Sequence, residues 1–218
     1  MTQTSTGSSA PSRRSLPSTA PERDERQRRA IDVLVATLGL VAFSPLLALI
    51  GILIKLESPG PVFFTQKRVG KDGRPFEIIK FRSMTVAEPG QQTPTEAGDM
   101  ESFVFRPVGR KTAIGRALRA CSLDELPNLL NVLRGDLHLV GPRPDEPELV
   151  ARYRPEWQAR HDVKPGITGL AQVNGRTDLT YSEMMTYDLD YVSKHPFARD
   201  VKIMLKTLGV VLRREGAR

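Results

Sequence analysis

Two carboxylates side by side, Asp124 and Glu125, stand in the stretch Ser122 to Pro144, SLDELPNLLNVLRGDLHLVGPRP. Adjacent side chains on a helix point about 100° apart, so one can face a substrate while its neighbour holds a metal. The same residues also suit a helix N-terminus. Ser122 stands as N-cap, Glu125 three residues on completes a capping box, and both acids favour the positive end of the helix dipole. The two readings are compatible, because a helix N-terminus also attracts phosphate. Pro142 and Pro144 flank Arg143 and restrict the backbone that aims it.

Most elements around this stretch carry positive charge. Among 218 residues, Lys and Arg total 32 against 25 Asp and Glu, a net charge of +7. That surplus implies an anionic partner: nucleic acid, anionic lipid or a phosphorylated substrate. Aromatic residues make up only 6% of the chain, and no recognisable nucleic-acid motif occurs, so nucleic acid is not expected. The single cysteine, Cys121, excludes an internal disulfide framework and reads as a packing residue. His138, His161 and His195 lack metal-ligand spacing and read as structural or surface residues.

Residues 1 to about 21 are rich in Ser, Thr and Pro and read as a disordered tail. From Val33 to Ile54 no residue is charged, which is long enough to cross a hydrocarbon layer of ~30 Å. Ser44-Pro45 interrupts the middle of that run. Proline removes a donor and clashes with the preceding turn, so the helix should kink or break there, with Ser44 satisfying freed backbone groups. Basic residues flank both ends, and positive charge marks the cytoplasmic side. A segment that enters, bends and returns satisfies both flanks; a single kinked span is the alternative. Asp32, near the entrance, is expected at the interface beside an arginine.

After the turn Glu57 to Pro61, residues 62–82 read as a β-hairpin around Asp72-Gly73. Lys80 and Arg82 project to one strand face, either solvated or turned to phosphate. Residues 86 to about 102 read as a loop, and Gly109 to Arg119 as a basic helix suited to an anionic membrane surface. Tyr181 to Lys194 reads as an acidic helix with a solvated face. Arg199 to Arg214 reads as an interfacial helix, or else an ordinary core-packing one.

Four stretches in order resemble the bacterial sugar transferases, the small membrane-embedded polyprenyl-phosphate phosphoglycosyl transferases. They are RRAIDVLVATLGLVAFSPLL from Arg29, SPGPVFFTQKRVGKDGRPFEIIKFRSM, SLDELPNLLNVLRGDLHLVGPRP and KPGITGLAQVNGR. The resemblance covers about residues 28 to 215. It implies an α+β, mainly helical fold: a tail over 1–28, a re-entrant membrane helix hairpin over 29–56, and a catalytic domain over 57–218. Amphipathic interfacial helices and a small β-hairpin would surround an active site on the cytoplasmic face of the bacterial inner membrane. It implies transfer of a sugar-1-phosphate from a nucleotide sugar to polyprenyl phosphate, with Asp124 as nucleophile and Glu125 binding Mg²⁺. It assigns phosphate and nucleotide contacts to Arg119, Arg143 and Arg176, places Gln172 on the nucleotide side, and matches Lys80, Arg82 and Asp200 at shared positions. Departures are Cys121, Asn128 and the stretch Phe105 to Gly109 before the basic helix. An aspartate of ordinary pKa near ~4 is ionised at pH 7, so such a nucleophile needs no base. The rival reading is a non-enzymatic membrane adaptor with a basic domain.

Overall fold

The computed structural model describes residues 22–85, 110–175 and 179–213. The expected loop over 86–102, most of the tail and Arg176 lie outside them.

Helix α1 runs from Glu22 to Glu57 with Pro45 inside it. Pro45 has no N–H to give the carbonyl of Val41, and the Ser44 hydroxyl donates to that oxygen at 2.8 Å instead. It is the one helix among the described residues long and apolar enough to cross a membrane. It begins at Glu22 rather than Arg29, because its first turns have partners. Arg28 Nε donates to Asp200 at 2.5 Å and its Nη2 to the His195 carbonyl. Arg29 donates to the carbonyls of Val132 and Leu133 at the end of α3 (Leu129–Arg134). Asp32 accepts from the backbone of Leu139 at 3.0 Å and lies 2.5 Å from His138 Nδ1. Its partner is thus a histidine on strand β3 (His138–Val140), not the expected arginine.

Both halves of α1 are held by the rest of the chain. Ala36 packs in a core with Val132, Leu137, Val140, Tyr191 and Ile203. Ile50 and Ile54 pack in another with Phe81 and Leu118. Between them Val41, Ala42, Phe43, Ser44 and Pro45 are all exposed, more than a full turn with no face against the protein.

Strands β1 (Phe63–Val69) and β2 (Pro75–Phe81) form the expected antiparallel hairpin, with Phe64 opposite Lys80. Asp72 and Gly73 take φ of 57° and 75°, the positive values a tight hairpin turn needs. The short helix α2 (Ala113–Ala120) follows, its N-terminus capped by Thr112 and by Glu57 from the end of α1. Strand β3 pairs in parallel with β4 (Gly166–Thr168), a pairing of distant segments. The backbones meet so closely that a Cβ on Gly141 would lie 2.5 Å from the Lys164 carbonyl. The short helix α4 (Pro147–Val150), α5 (Tyr181–Ser193) and α6 (Phe197–Arg213) complete the body. Helix α5 is less solvated than its composition suggests: Tyr181, Met185, Asp188, Tyr191 and Val192 are buried. Helix α6 buries Ile203 and exposes Leu205 and Leu208, 64% and 62%.

Candidate active site

Asp124 and Glu125 lie on a 3-10 turn, Leu123–Asn128, between α2 and α3. The expected capping box does not form. Ser122 adopts a left-handed conformation, φ 55°, and its side chain makes no capping hydrogen bond. That backbone reversal turns the dyad toward the hairpin, and Glu125 spends its carboxylate there instead. Glu125 Oε1 accepts from Lys80 Nζ at 2.8 Å and from Arg143 Nη2 at 2.9 Å. Lys80 comes from β2 and Arg143 from the loop after β3. The dyad is therefore assembled from three segments far apart in sequence.

The two carboxyls have opposite proton affinities. Burial alone would raise Glu125, but Arg143 and Lys80 outweigh it and hold it well below the usual carboxylate range. Burial and the neighbouring Glu125 charge raise Asp124 above its ordinary value, against the pull of Lys80, Arg119 and Arg143. Asp124 is thus more basic than an ordinary aspartate. Among the described residues its carboxylate makes no hydrogen bond, so its lone pairs are uncommitted. Burial and Arg143 in turn lower Lys80, while Glu125 is the main reason Arg143 is raised.

Arg143 is held from below by a buried network that the sequence did not reveal. Arg160 Nη2 donates to the Arg143 carbonyl at 2.6 Å and to Asp188 at 2.6 Å. Its Nη1 reaches Asp145 and the Tyr153 hydroxyl. Tyr181 and Tyr153 both donate to Asp145 Oδ2 at 2.5 Å. Arg68 on β1 braces the same loop, donating to the Pro144 carbonyl at 3.3 Å and pairing with Glu146. With Pro142 and Pro144 on either side, Arg143 projects from a fixed backbone while its side chain remains 42% exposed.

The other expected site residues divide. Arg119, half-buried on α2, is near enough to influence Asp124 and touches Met84 Sδ at 3.6 Å. Arg82 is 5% exposed and spent on the end of α1: it donates to the carbonyls of Pro59 at 2.5 Å and Ser58 at 2.7 Å, and to the Ser58 hydroxyl. It caps the C-terminal end of α1 rather than facing phosphate as a free cation. Asp200 is 3% exposed and bonded to Arg28 and to the Tyr191 hydroxyl, fastening α6 to α1 rather than joining the dyad. Gln172 follows β4, its amide buried with neither Nε2 nor Oε1 hydrogen-bonded among the described residues.

Magnesium fits this donor set. The ion takes one or two carboxylates plus substrate phosphate oxygens in place of an all-protein cage. Glu125 commits only Oε1 to its cations, and among the described residues neither Oε2 nor the Asp124 carboxylate is hydrogen-bonded. Among the described residues no cluster of three or more His, Cys, Asp or Glu is arranged around a metal, so a magnesium ion here would depend on substrate oxygens.

Comparison with known proteins places this geometry in a lineage. The chain is 42% identical over 200 residues to UDP-glucose:undecaprenyl-phosphate glucose-1-phosphate transferase of Caulobacter vibrioides, covering 88% of this chain and 72% of that one. It is 42% identical over 190 residues to the transferase of the same name from Escherichia coli, covering 83% and 39%. It is 40% identical over 199 residues to UDP-N-acetylgalactosamine-undecaprenyl-phosphate N-acetylgalactosaminephosphotransferase of Aeromonas hydrophila, covering 88% and 45%. The chain thus spans less than half the length of the latter two. The model of one family matches residues 23–214, from the first turns of α1 to the end of α6, and takes in the dyad and the three segments that assemble it: the chain belongs to the bacterial sugar transferase family.

Proposed function

We propose that this protein transfers a sugar-1-phosphate from a nucleotide sugar, with UDP as the expected nucleotide, to polyprenyl phosphate, through a phosphosugar-aspartyl intermediate. The observation that carries the reading is the split dyad: a basic, unbonded Asp124 beside a Glu125 clamped between Lys80 and Arg143. The names of the relatives, which join UDP-sugars to undecaprenyl phosphate, support the substrate classes.

Phosphoryl transfer demands positioning and charge neutralisation more than proton movement. The Asp124 carboxylate oxygen attacks the phosphorus that bears the sugar. The bond from that phosphorus to the bridging oxygen breaks, and the nucleoside monophosphate leaves with the electron pair. An acyl phosphate results. A phosphate oxygen of the lipid then attacks the same phosphorus, and the Asp124 carboxylate is released. Its raised proton affinity makes Asp124 a stronger nucleophile than an ordinary aspartate. Arg143 and Arg119 neutralise the non-bridging oxygens with planar donors. Lys80 holds Glu125 ionised and in place. Glu125 Oε2 and the substrate phosphates would hold Mg²⁺, which when bound supplies Lewis-acid neutralisation of the pyrophosphate. Arg176 and the orphaned Gln172 amide are assigned to the nucleotide; a donor or acceptor on the base or ribose would satisfy that amide.

The same proposal places the site on the cytoplasmic face of the bacterial inner membrane, with α1 entering and leaving one leaflet. Contacts at both ends of α1 with one body support this, as do the five exposed residues at its middle. A helix crossing the bilayer could not keep both ends on the same domain. The product is a lipid-linked sugar that would initiate a surface glycan such as an exopolysaccharide.

The test is transfer of labelled sugar phosphate from a panel of UDP-sugars to polyprenyl phosphate in detergent, with Mg²⁺ or EDTA. Product that requires Mg²⁺ and vanishes in Asp124→Asn is expected. Undiminished transfer by Asp124→Asn would remove the covalent step. A wild-type protein inert toward every donor would favour the adaptor reading. Cysteines at residues 23 and 57 should both label from the cytoplasmic side; opposite-side labelling would remove the re-entrant seat.

A further inference from the structure

The hairpin face that carries Lys80 also carries an exposed aromatic ring with no assigned role. Residues directly opposite on antiparallel strands share a face, with Cβ atoms about 4.5–5.5 Å apart. Phe64 is opposite Lys80, so its ring stands beside the lysine that clamps Glu125. It is 46% exposed. Its neighbour Phe63 points to the other face and stacks on Phe81, centroids 5.5 Å apart, in the core that receives Ile50 and Ile54. Phe63 therefore has a packing partner that accounts for it; among the described residues Phe64 has no such ring partner.

The position of Phe64 along the strand narrows its occupant. The start of β1 abuts the second half of α1: a Cβ on Gly51 would meet Val62 at 3.4 Å. That half of α1 exposes Leu49, Ile52, Leu53 and Leu56 at 52%, 57%, 39% and 79%. The other end of the hairpin, at Asp72-Gly73, is polar. Phe64 thus sits between an apolar helix surface and a cationic cluster built for phosphate. An amphiphile with a phosphate head and a hydrocarbon tail matches that order; a polar nucleotide sugar does not.

We propose that Phe64 seats the first isoprene units of the lipid-phosphate acceptor, guiding its headgroup onto the Lys80 and Arg143 side of the dyad. This rests on the transferase reading above and deepens it. Phe64 is a positioning residue for the second half-reaction, and the aspartyl intermediate forms without it.

The experiment separates the half-reactions. Exchange of labelled nucleoside monophosphate into the nucleotide sugar, without lipid, reports the Asp124 step alone. Full transfer, titrated with undecaprenyl phosphate, reports acceptor binding. Phe64→Ala should raise the acceptor KM by about tenfold, as loss of apolar contact predicts, and leave exchange and donor KM unchanged. Phe64→Leu should restore most of the loss, because a hydrocarbon chain needs apolar contact and not a ring face. A raised donor KM and slowed exchange that Leu fails to rescue would overturn the proposal in favour of base stacking. An unchanged acceptor KM would overturn it outright. So would a fall in melting temperature as large as that of Phe63→Ala, since Phe64 would then be a packing residue. Absence of exchange in the wild type would instead remove the transferase reading.

Discussion

Neutralising Asp188 should stabilise the protein near neutral pH. Asp188 is 1% exposed, and burial raises its carboxyl from 3.8 to about 6, against the pull of Arg160 and with the help of Asp145. Its Oδ2 accepts from Arg160, but its Oδ1 is buried without a hydrogen bond. A raised folded pKa means the folded state binds more protons between 3.8 and about 6 than the unfolded chain does. This group's contribution therefore falls as pH rises through that window and is most unfavourable above it. Two units at ~1.4 kcal/mol each correspond to about 3 kcal/mol. Asp188→Asn removes the titration and keeps an oxygen for Arg160. It should raise stability at pH 7.5 by up to about 3 kcal/mol, or roughly 6–12 °C in melting temperature for a chain of this size, with the gain shrinking toward pH 4.5. The assay is thermal unfolding of wild type and variant in the same detergent from pH 4.5 to 8; the difference between them cancels other titrating groups. Asp145→Asn is the internal contrast. Burial would raise Asp145, but Arg160 and two tyrosine hydroxyls lower it, so its charge belongs to the fold. That variant should lose about 3–5 kcal/mol at every pH above 5. A Asp188→Asn protein less stable at pH 7.5 than at pH 5, relative to wild type, would refute this account of the network.

Other outcomes follow from the same contacts. Lys80→Met should cut turnover at least ~100-fold, as loss of a charge stabiliser in a phosphoryl-transfer site does, while melting shifts little; wild-type-like turnover would detach Lys80 from the dyad. The acid limb of kcat/KM should fall above the ordinary aspartate value because Asp124 is raised, and Lys80→Met should move it further up; pH–rate profiles with a limb at or below 3.8 would contradict this. Arg82→Leu should cost about 2–4 kcal/mol of stability by releasing carbonyls at the end of α1, with substrate KM in the surviving folded fraction unchanged; a raised donor KM at full stability would return Arg82 to phosphate binding. Gly141→Ala drives a Cβ to 2.5 Å from the Lys164 carbonyl, so it should separate β3 from β4, and loss of activity together with lowered melting is the expected pair of readings.

What was legible in the sequence was local. The apolar run, the Ser44-Pro45 pair and the Asp72-Gly73 turn each act within a few residues, and the structure bears out the hydroxyl of Ser44 and the positive φ values of the turn. The dyad was visible as two adjacent acids, and the helices expected over 181–194 and 199–214 lie within two residues of α5 and α6. What was not legible depended on partners far along the chain. Arg28 and Asp200 are 172 positions apart, and neither residue's neighbours reveal the other. Asp32 seemed to need an arginine because arginines are near it in sequence; its partner His138 comes from 106 positions away. Arg82 alternates with Lys80 in the pattern, yet it lies just past the end of β2 and turns to α1. The capping box failed for a different reason. The pattern of residue types was present, but the left-handed backbone at Ser122 placed its side chain out of reach.

The long-range fastening of α1 also sets an order of assembly. This helix is synthesised well before its partners: Asp200 and His195, which hold Arg28, and the carbonyls of Val132 and Leu133, which hold Arg29, emerge far later. In the membrane seat proposed above, α1 would have to stay in lipid by its hydrophobicity until those later segments have left the ribosome. Such late, non-local closure is slow. Once closed, the same contacts act as a latch: α1 cannot separate from the body without first tearing Arg28 from Asp200 and Asp32 from His138. In the proposed seat, leaving the membrane and losing the folded body would thereby be a single event.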